Sequence, residues 1–356
     1  MRNSSPWDGC GTLSPVTWIN AGESQKRLKY LYFHPIQRRP VVPSISIRSY
    51  AGPEQAEMAY RAVNVELIPD SQARFTMRVV GLELHDLWIQ RVSESAPRLK
   101  HATQSPARAF ITFVTGPGPP LVTDGIEMLL PGVMRHSLGH SYYQRSAGPT
   151  DWGAISLPVE QIAAAGIALR GCDLSPPRNA HAVVPSPAAM ARFRQLHATA
   201  GALAETAPHA IAHPEVARGL EQLLIASVVD CLSEPPSREE RLAPGHYATI
   251  MRRFRRVLEA APDQALYIPE ICAAIGVPER TLRHCCQEQL GTSPKRYLLR
   301  RRMHLARRAL LAASPTPRTV TDIATRYGFF HFGRFAGDYQ AIFGEPPSAT
   351  LRRLHG

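Results

Sequence analysis

Two glycines constrain this chain more than any other feature. Gly276 follows a short run from about Pro269, with Ile271, Ala274 and Ile275 on one helical face, and Gly328 follows a similar run with Ile323, Ala324 and Tyr327. Glycine adopts the left-handed conformation at little cost, so each marks the end of a short helix and a sharp turn. A new helical period starts after each turn. In the first unit Val277 plugs the turn, Pro278 suits the first turn of the next helix, and that helix buries Leu282 and Cys285 or Cys286 before Gly291 closes it. In the second, Phe332, Phe335 or Ala336, Tyr339 and Phe343 fall at helical spacing as a core stripe that ends at Gly344. Thr319 and Asp322, three apart, have the spacing of a capping box in front of that unit, and Ser348 is placed to cap a last short helix. The chain therefore carries two helix-turn-helix units.

Between them, Ser293 and Pro294 open a run that reaches Leu311 without Gly or Pro, a continuous helix of roughly 27 Å at about 1.5 Å per residue. One turn of B-DNA is about 34 Å, so such a helix can hold two reading heads on successive major grooves. The outward face of the second helix of the first unit presents Arg280, Thr281, Arg283 and His284, side chains suited to base edges. Lys295, Arg296 and Arg300 lie on the long helix as candidate phosphate contacts, and Arg300–Arg302 read as a solvated or phosphate-facing strip.

The charge follows the same division. Residues 246–356 hold 18 Lys+Arg against 8 Asp+Glu, a net of +10, whereas the first 245 hold 23 against 21. A polyanion such as double-stranded DNA is the direct reading of that asymmetry, because phosphate neutralisation supplies much of the affinity of such complexes. The six cysteines, Cys10, Cys172, Cys231, Cys272, Cys285 and Cys286, show no CxxC, so neither a disulfide framework nor a zinc site is indicated. The N-terminus has no apolar signal region and the longest apolar stretch, around Leu223–Val229, is too short for a bilayer, which fits a reducing cytoplasm and no membrane partner.

Upstream the architecture is multidomain α+β. Residues 1–44 read as an irregular arm with a basic tract through Lys26, Arg27, Lys29 and Arg38–Arg39. From 45 to 180 the period is two, in Ile45/Ile47, Val63/Val65/Leu67, Phe75/Met77/Val79, Leu82/Leu84 and Phe110/Thr112/Val114, broken by Gly- and Pro-rich turns. That pattern predicts an antiparallel, cupin- or jelly-roll-like β-domain. Residues 186–235 read as a helical connector, with helices over 188–206 and 214–232 and Leu220, Leu223, Leu224, Val228 and Leu232 at helical spacing. The polar, proline-bearing stretch near 235–245 marks a linker, and 246–354 form the all-α C-terminal domain.

The segments GVPERTLRHCCQEQLGTSPKRYLLRRRMHLARRALL and DIATRYGFFHFGRFAGDYQAIFGEPPSATLRR make residues 246–354 resemble the DNA-binding domain of AraC/XylS-type transcriptional regulators. The resemblance implies seven helices, with the second helix of each unit in the major groove. It places Arg280, Arg283 and His284 against bases in the first unit. In the second it places Phe332, Gly333 and Gly337, with His331 and Arg334 as the nearby donors. The first unit is therefore expected to supply most base specificity, and the second phosphate or thymine-methyl contacts. Cys285-Cys286 depart from the aromatic more usual there. The resemblance also implies a small-molecule effector in the β-domain and a homodimer made by the connector helices.

Other readings compete at single residues. His136 and His140 raise a metal-dependent cupin enzyme fused to a DNA-binding tail, which needs at least one further ligand that the sequence does not offer. Cys285-Cys286 raise a redox switch, against which stand helix geometry and the commonness of small buried cysteines. An alkyl-transfer repair protein with a reactive cysteine is a further rival, against which stands the absence of a four-cysteine zinc pattern. Gly116–Pro120 lacks the GK[ST] ending of a phosphate cradle, and no cofactor is expected. Trp88 and Trp152 read as core or pocket walls. No catalytic residue emerges.

Overall fold

The computed structural model of the chain describes residues 43–60, 63–69, 75–128, 131–233, 246–261, 264–312 and 319–352. The expected basic tract of the arm and the linker near 235–245 lie outside the described residues. Strands β1 (Ser44–Tyr50), β2 (Val63–Pro69), β3 (Met77–Glu83), β4 (Trp88–Glu94), β5 (Arg98–Gln104) and β6 (Arg108–Val114) are followed by the short β7 (Leu121–Thr123), β8 (Ile126–Met128) and β9 (Val133–Arg135), then by β10 (Ser141–Ser146), β11 (Thr150–Pro158) and β12 (His181–Val183). They form a seven-stranded sheet in the order β1-β3-β4-β11-β6-β9-β12 and a five-stranded sheet in the order β2-β5-β10-β7-β8. The registers are antiparallel, as between β11 and β6, where Trp152 faces Val114 and Ile155 faces Ile111. Helix α1 (Pro53–Glu57) lies between β1 and β2, and α2 (Val159–Arg170), α3 (Pro187–Thr206), α4 (Pro208–Ile211) and α5 (Pro214–Leu232) follow β11. Helix α2 falls within the stretch read as β-rich, and β12 follows the prolines that seemed to end it.

Alternation along the strands sorts the side chains into layers. Between the sheets lie Val65, Met77, Val79, Val92, Ala102, Phe110, Val114, Tyr142, Trp152 and Ala154. The other face of the larger sheet, with Ile89, Ile111, Phe113, Ile155 and Leu157, is covered by Ile162, Phe193, Leu220, Leu224 and Val228 of α2, α3 and α5. The two connector helices are thus built into the core of the β-domain. Leu223 is the exception to the expected stripe and is exposed.

The outer face of the smaller sheet is covered by the C-terminal domain. Ile68, Leu99 and Tyr143 share one apolar cluster with Ile250, Phe254, Leu282, Leu290 and Tyr297. That domain comprises α6 (His246–Ala260), α7 (Ile268–Ile275), α8 (Glu279–Leu290), α9 (Pro294–Leu311), α10 (Val320–Arg326), α11 (Phe332–Phe343) and α12 (Pro347–Arg352), seven helices among the described residues. Pro347 heads α12, so Ser348 is its second residue and does not cap it.

Candidate nucleic-acid interface

Both turns have the geometry their glycines demand. Gly276 and Gly328 sit at φ 71° and 77°, and the closing Gly291 and Gly344 at 68° and 75°. Ile271, Ile275, Leu282, Cys285 and Cys286 are buried beneath the first turn, whereas Ala274, expected on that inner face, points to solvent. In the second unit the Thr319 hydroxyl accepts from the Asp322 N–H at 3.1 Å while Asp322 accepts from the Thr319 N–H at 2.9 Å, so Asp completes the box. Ser293 likewise caps α9, accepting from the Arg296 N–H at 3.3 Å.

On α8 the exposed face carries Arg280, Arg283, His284 and Gln287, and Thr281 is half-buried beside them. Arg283 donates from Nη2 to Glu279 Oε1 at 2.8 Å along the helix. With the two side chains 66% and 51% exposed, the pair is worth only about 0.3–0.5 kcal/mol and yields readily to a base. The His284 ring stands edge-on to Tyr247 of α6, with centroids 5.0 Å apart, which fixes its lean. Gln287, one turn beyond Arg283, extends the face with an amide of the type that pairs with adenine. Its spacing from Arg280 and Arg283 was the available signal.

The second head corrects one reading. Phe332 is 43% exposed and does not belong to the core stripe; Phe335 and Tyr339 are buried there, with Ile342 and Phe343 packed against them. As the first residue of α11, Phe332 precedes the turn whose inner side faces the core. His331, Gly333, Arg334 and Gly337 are exposed with it, and Arg334 faces Asp338 at 3.7 Å. Phe330, not singled out from the sequence, is 69% exposed beside them. The second head thus presents an aromatic and small-residue surface with two donors.

Helix α9 departs furthest from expectation. Lys295 and Arg296 are exposed at its start and Arg300 is half-buried. Arg301, however, is buried, with Nε 3.7 Å from Glu66 of β2, and Arg302 stacks between Tyr267 and Phe329. Farther along, Arg307 meets Glu54 at 3.0 Å and Arg308 pairs with Glu57, both carboxylates on α1. Of the Arg300–Arg302 strip, Arg301 therefore rests on a carboxylate of the β-domain and Arg302 on aromatic rings, while Arg307 and Arg308 farther along meet two more β-domain carboxylates. Burial raises the Glu57 carboxyl to about 7 despite Arg308.

The rival chemistries find little support. His136 is buried and its Nε2 lies 2.9 Å from Thr112 Oγ1, while His140 is exposed and meets the Leu138 carbonyl; among the described residues no three His, Cys, Asp or Glu are grouped to hold a metal. Cys285 and Cys286 are buried, and burial pushes both thiols up, away from the thiolate that nucleophilic chemistry needs. No helix among the described residues is long and apolar enough to cross a membrane.

A family model described as a helix-turn-helix domain matches residues 271–353. The probable thc operon regulatory protein of Rhodococcus erythropolis is 44% identical over 105 residues, 30% of this chain and 32% of that protein. The C-terminal domain is of the AraC/XylS type. XylDLEGF operon transcriptional activator 3 of Pseudomonas putida is 31% identical over 156 residues, 43% of this chain and 45% of that protein. The crystal structure of a probable AraC family transcriptional regulator from Rhodopseudomonas palustris CGA009 is 35% identical, with 29% of this chain and 95% of that one covered at a TM-score of 0.27. These matches span about a third to a half of the length of the curated relatives.

Proposed function

We propose that the protein is a sequence-specific, effector-responsive transcription regulator that reads two successive major grooves with α8 and α11. The observation that carries this is the equivalence of the two heads. Each is a short helix, a left-handed glycine and a second helix whose outward face is free, and one continuous helix joins them. In α8, Arg280, Thr281, Arg283, His284 and Gln287 supply base readout. In α11, Phe332 meets thymine methyls, with His331, Gly333 and Arg334 alongside; Lys295, Arg296 and Arg300 hold phosphates. The apolar side chains left outward on neighbouring helices, Ile167 and Leu169 of α2 with Val216 and Leu223 of α5, support pairing with a second copy. An effector that favours one arrangement of β-domain and heads shifts the population that fits its site.

Selection from random duplexes with the full chain tests this reading. The expected product is a bipartite site with centres about 10–10.5 bp apart for one chain. Recovery of no enriched sequence, or of a single half-site indifferent to changes in α11, overturns it.

A further inference from the structure

The helix that joins the two heads does not stand free. Tyr297, Arg301, His304 and Arg308 fall at i, i+4, i+7 and i+11, so they form one stripe along α9, about 16 Å long. The β-domain meets each of them. The Tyr297 hydroxyl stands 3.3 Å from that of Tyr143 on β10, Arg301 Nε 3.7 Å from Glu66 on β2 and His304 Nδ1 3.8 Å from Glu54 on α1, and Arg308 pairs with Glu57. A helix can curve along its axis, whereas a stripe held at successive turns must follow the surface beneath it.

The same domain also reaches past α9 to each head. Thr123 pairs with Ile126, so β7 and β8 are joined by Asp124 and Gly125 alone, at φ 48° and 82°, the tight hairpin turn that Asp-Gly favours. Its tip lies against the first head. Asp124 Oδ1 accepts from the Tyr143 N–H at 2.9 Å and pairs with Arg255 of α6, and a Cβ on Gly125 would lie 3.4 Å from Gln289 Cγ at the end of α8. Toward the second head the link is Arg307. Its Nε lies 3.0 Å from Glu54 and its Nη1 3.2 Å from Glu345, in the turn between α11 and α12. Glu345 accepts from the Thr350 hydroxyl at 2.9 Å, and Thr350 accepts from the Tyr339 hydroxyl of α11 at 2.9 Å. A chain of contacts therefore runs from Glu54 through Arg307, Glu345 and Thr350 to the buried side of the second reading helix. The side chains of Glu54, Arg307 and Glu345 are 14%, 12% and 14% exposed, so salt screens these pairs far less than it does pairs on the surface.

Resting on the reading of α8 and α11 as two heads, we propose that the sandwich is a brace that sets the angle between them, and that Glu54 and Asp124 are positioning residues for the spacing of half-sites. Each holds one head through an arginine, Glu54 through Arg307 and Asp124 through Arg255. One base pair of added or lost spacing turns the second groove by about 34–36° and moves it by about 3.4 Å. A braced pair of heads cannot follow that change. Heads joined by α9 alone take up part of it as the helix bends.

The test is binding of the full chain, by fluorescence anisotropy, to the selected bipartite duplex and to two duplexes whose half-sites stand one base pair closer and one farther apart. Wild type should lose about tenfold or more at both altered spacings, because only one head then seats and at least one bidentate contact is lost. Glu54→Gln combined with Asp124→Asn keeps the size of both side chains, and asparagine tolerates the left-handed backbone of the turn. This double variant should bind the selected site within about threefold of wild type and lose no more than about threefold at the altered spacings. Each single variant should fall between. A merely structural role would weaken binding to all three duplexes alike, so uniform weakening, or a variant profile as steep as that of wild type, overturns the proposal. Equal wild-type affinity at the three spacings overturns it with no variant needed. Failure to enrich any bipartite site refutes the reading of the two heads, whereas a bipartite site bound alike at every spacing refutes only the brace.

Discussion

Replacing Arg283 by Ala probes base reading where the structure makes it most specific. The side chain is exposed on α8 and, among the described residues, held only by Glu279, so its removal leaves the core of the head, Leu282, Cys285 and Cys286, in place. Losing one bidentate contact to a base costs about 1–3 kcal/mol, a weakening of roughly 5- to 150-fold at the specific site. Binding to unrelated duplex should fall little, because phosphate attraction comes from the remaining basic groups. Glu279→Gln is the companion measurement. It breaks a pair worth about 0.3–0.5 kcal/mol and removes an anion near phosphate, so specific binding should tighten about two-fold. Fluorescence anisotropy on the selected site and on a scrambled duplex, at one fixed salt concentration, gives both ratios. An equal loss on the two duplexes for Arg283→Ala would refute base readout at this position, and weaker binding by Glu279→Gln would show that the ion pair presents the guanidinium.

Stability should fall steeply on acidification. Burial lowers His136, His197 and His304 to about 3 from 6.5, so each binds its proton more readily in the unfolded chain, and the stability this represents is lost as pH falls from 6.5 towards 3. Glu57, raised to about 7, acts the opposite way: its share is present below 4.5 and lost as pH rises through 7. At pH 5.5 three histidines against one glutamate leave a net of roughly two protons, about 2–3 kcal/mol per pH unit, so urea midpoints should rise from pH 5 to 6 and a flat profile would contradict the burial of these rings. Gly276→Ala meets nothing within 4 Å and should cost about 1 kcal/mol from φ alone, whereas Gly328→Ala, whose new Cβ would lie 2.7 Å from the Tyr267 hydroxyl, should cost more; equal urea midpoints would contradict the difference in packing. Iodoacetamide on the native protein, followed by mass spectrometry, should label half-buried Cys172 and Cys272 ahead of Cys285 and Cys286, and rapid labelling of the vicinal pair would restore the redox and alkyl-transfer readings.

The C-terminal fold was legible because its signals are local. A glycine at a left-handed position, a proline at a helix start and a three-residue cap each act within one turn of chain. The face of Phe332 was misjudged for the same reason that made the rest work: its spacing to Phe335 fits a stripe, but a helix that begins at 332 leaves its first residue outside. In the β-domain, period two located several strands without revealing which side was inward. Along β5 Arg98, Lys100 and Gln104 point in, and a pattern that equates polar with outward cannot show this. Arg301 was taken for a surface group because its carboxylate, Glu66, stands more than two hundred residues earlier in the chain. Pairings of that kind are made by tertiary contact alone.

The carboxylates under α9 also alter how the basic character of the C-terminal domain is to be understood. Arg301, Arg307 and Arg308 are matched by Glu66, Glu54 and Glu57, and Arg255 by Asp124. Four of the domain's 18 basic side chains therefore carry fixed counterions supplied by the rest of the same chain. While the sandwich stays in contact, those charges release no salt when DNA binds. Any state that lifts α9 from the sheet unmasks all of them but Arg307, which keeps Glu345 of its own domain at 3.2 Å, and each additional phosphate neutralised steepens the salt dependence by about 0.9. The ionic-strength slope of DNA binding thus doubles as a gauge of how closely the two parts of the molecule are held together.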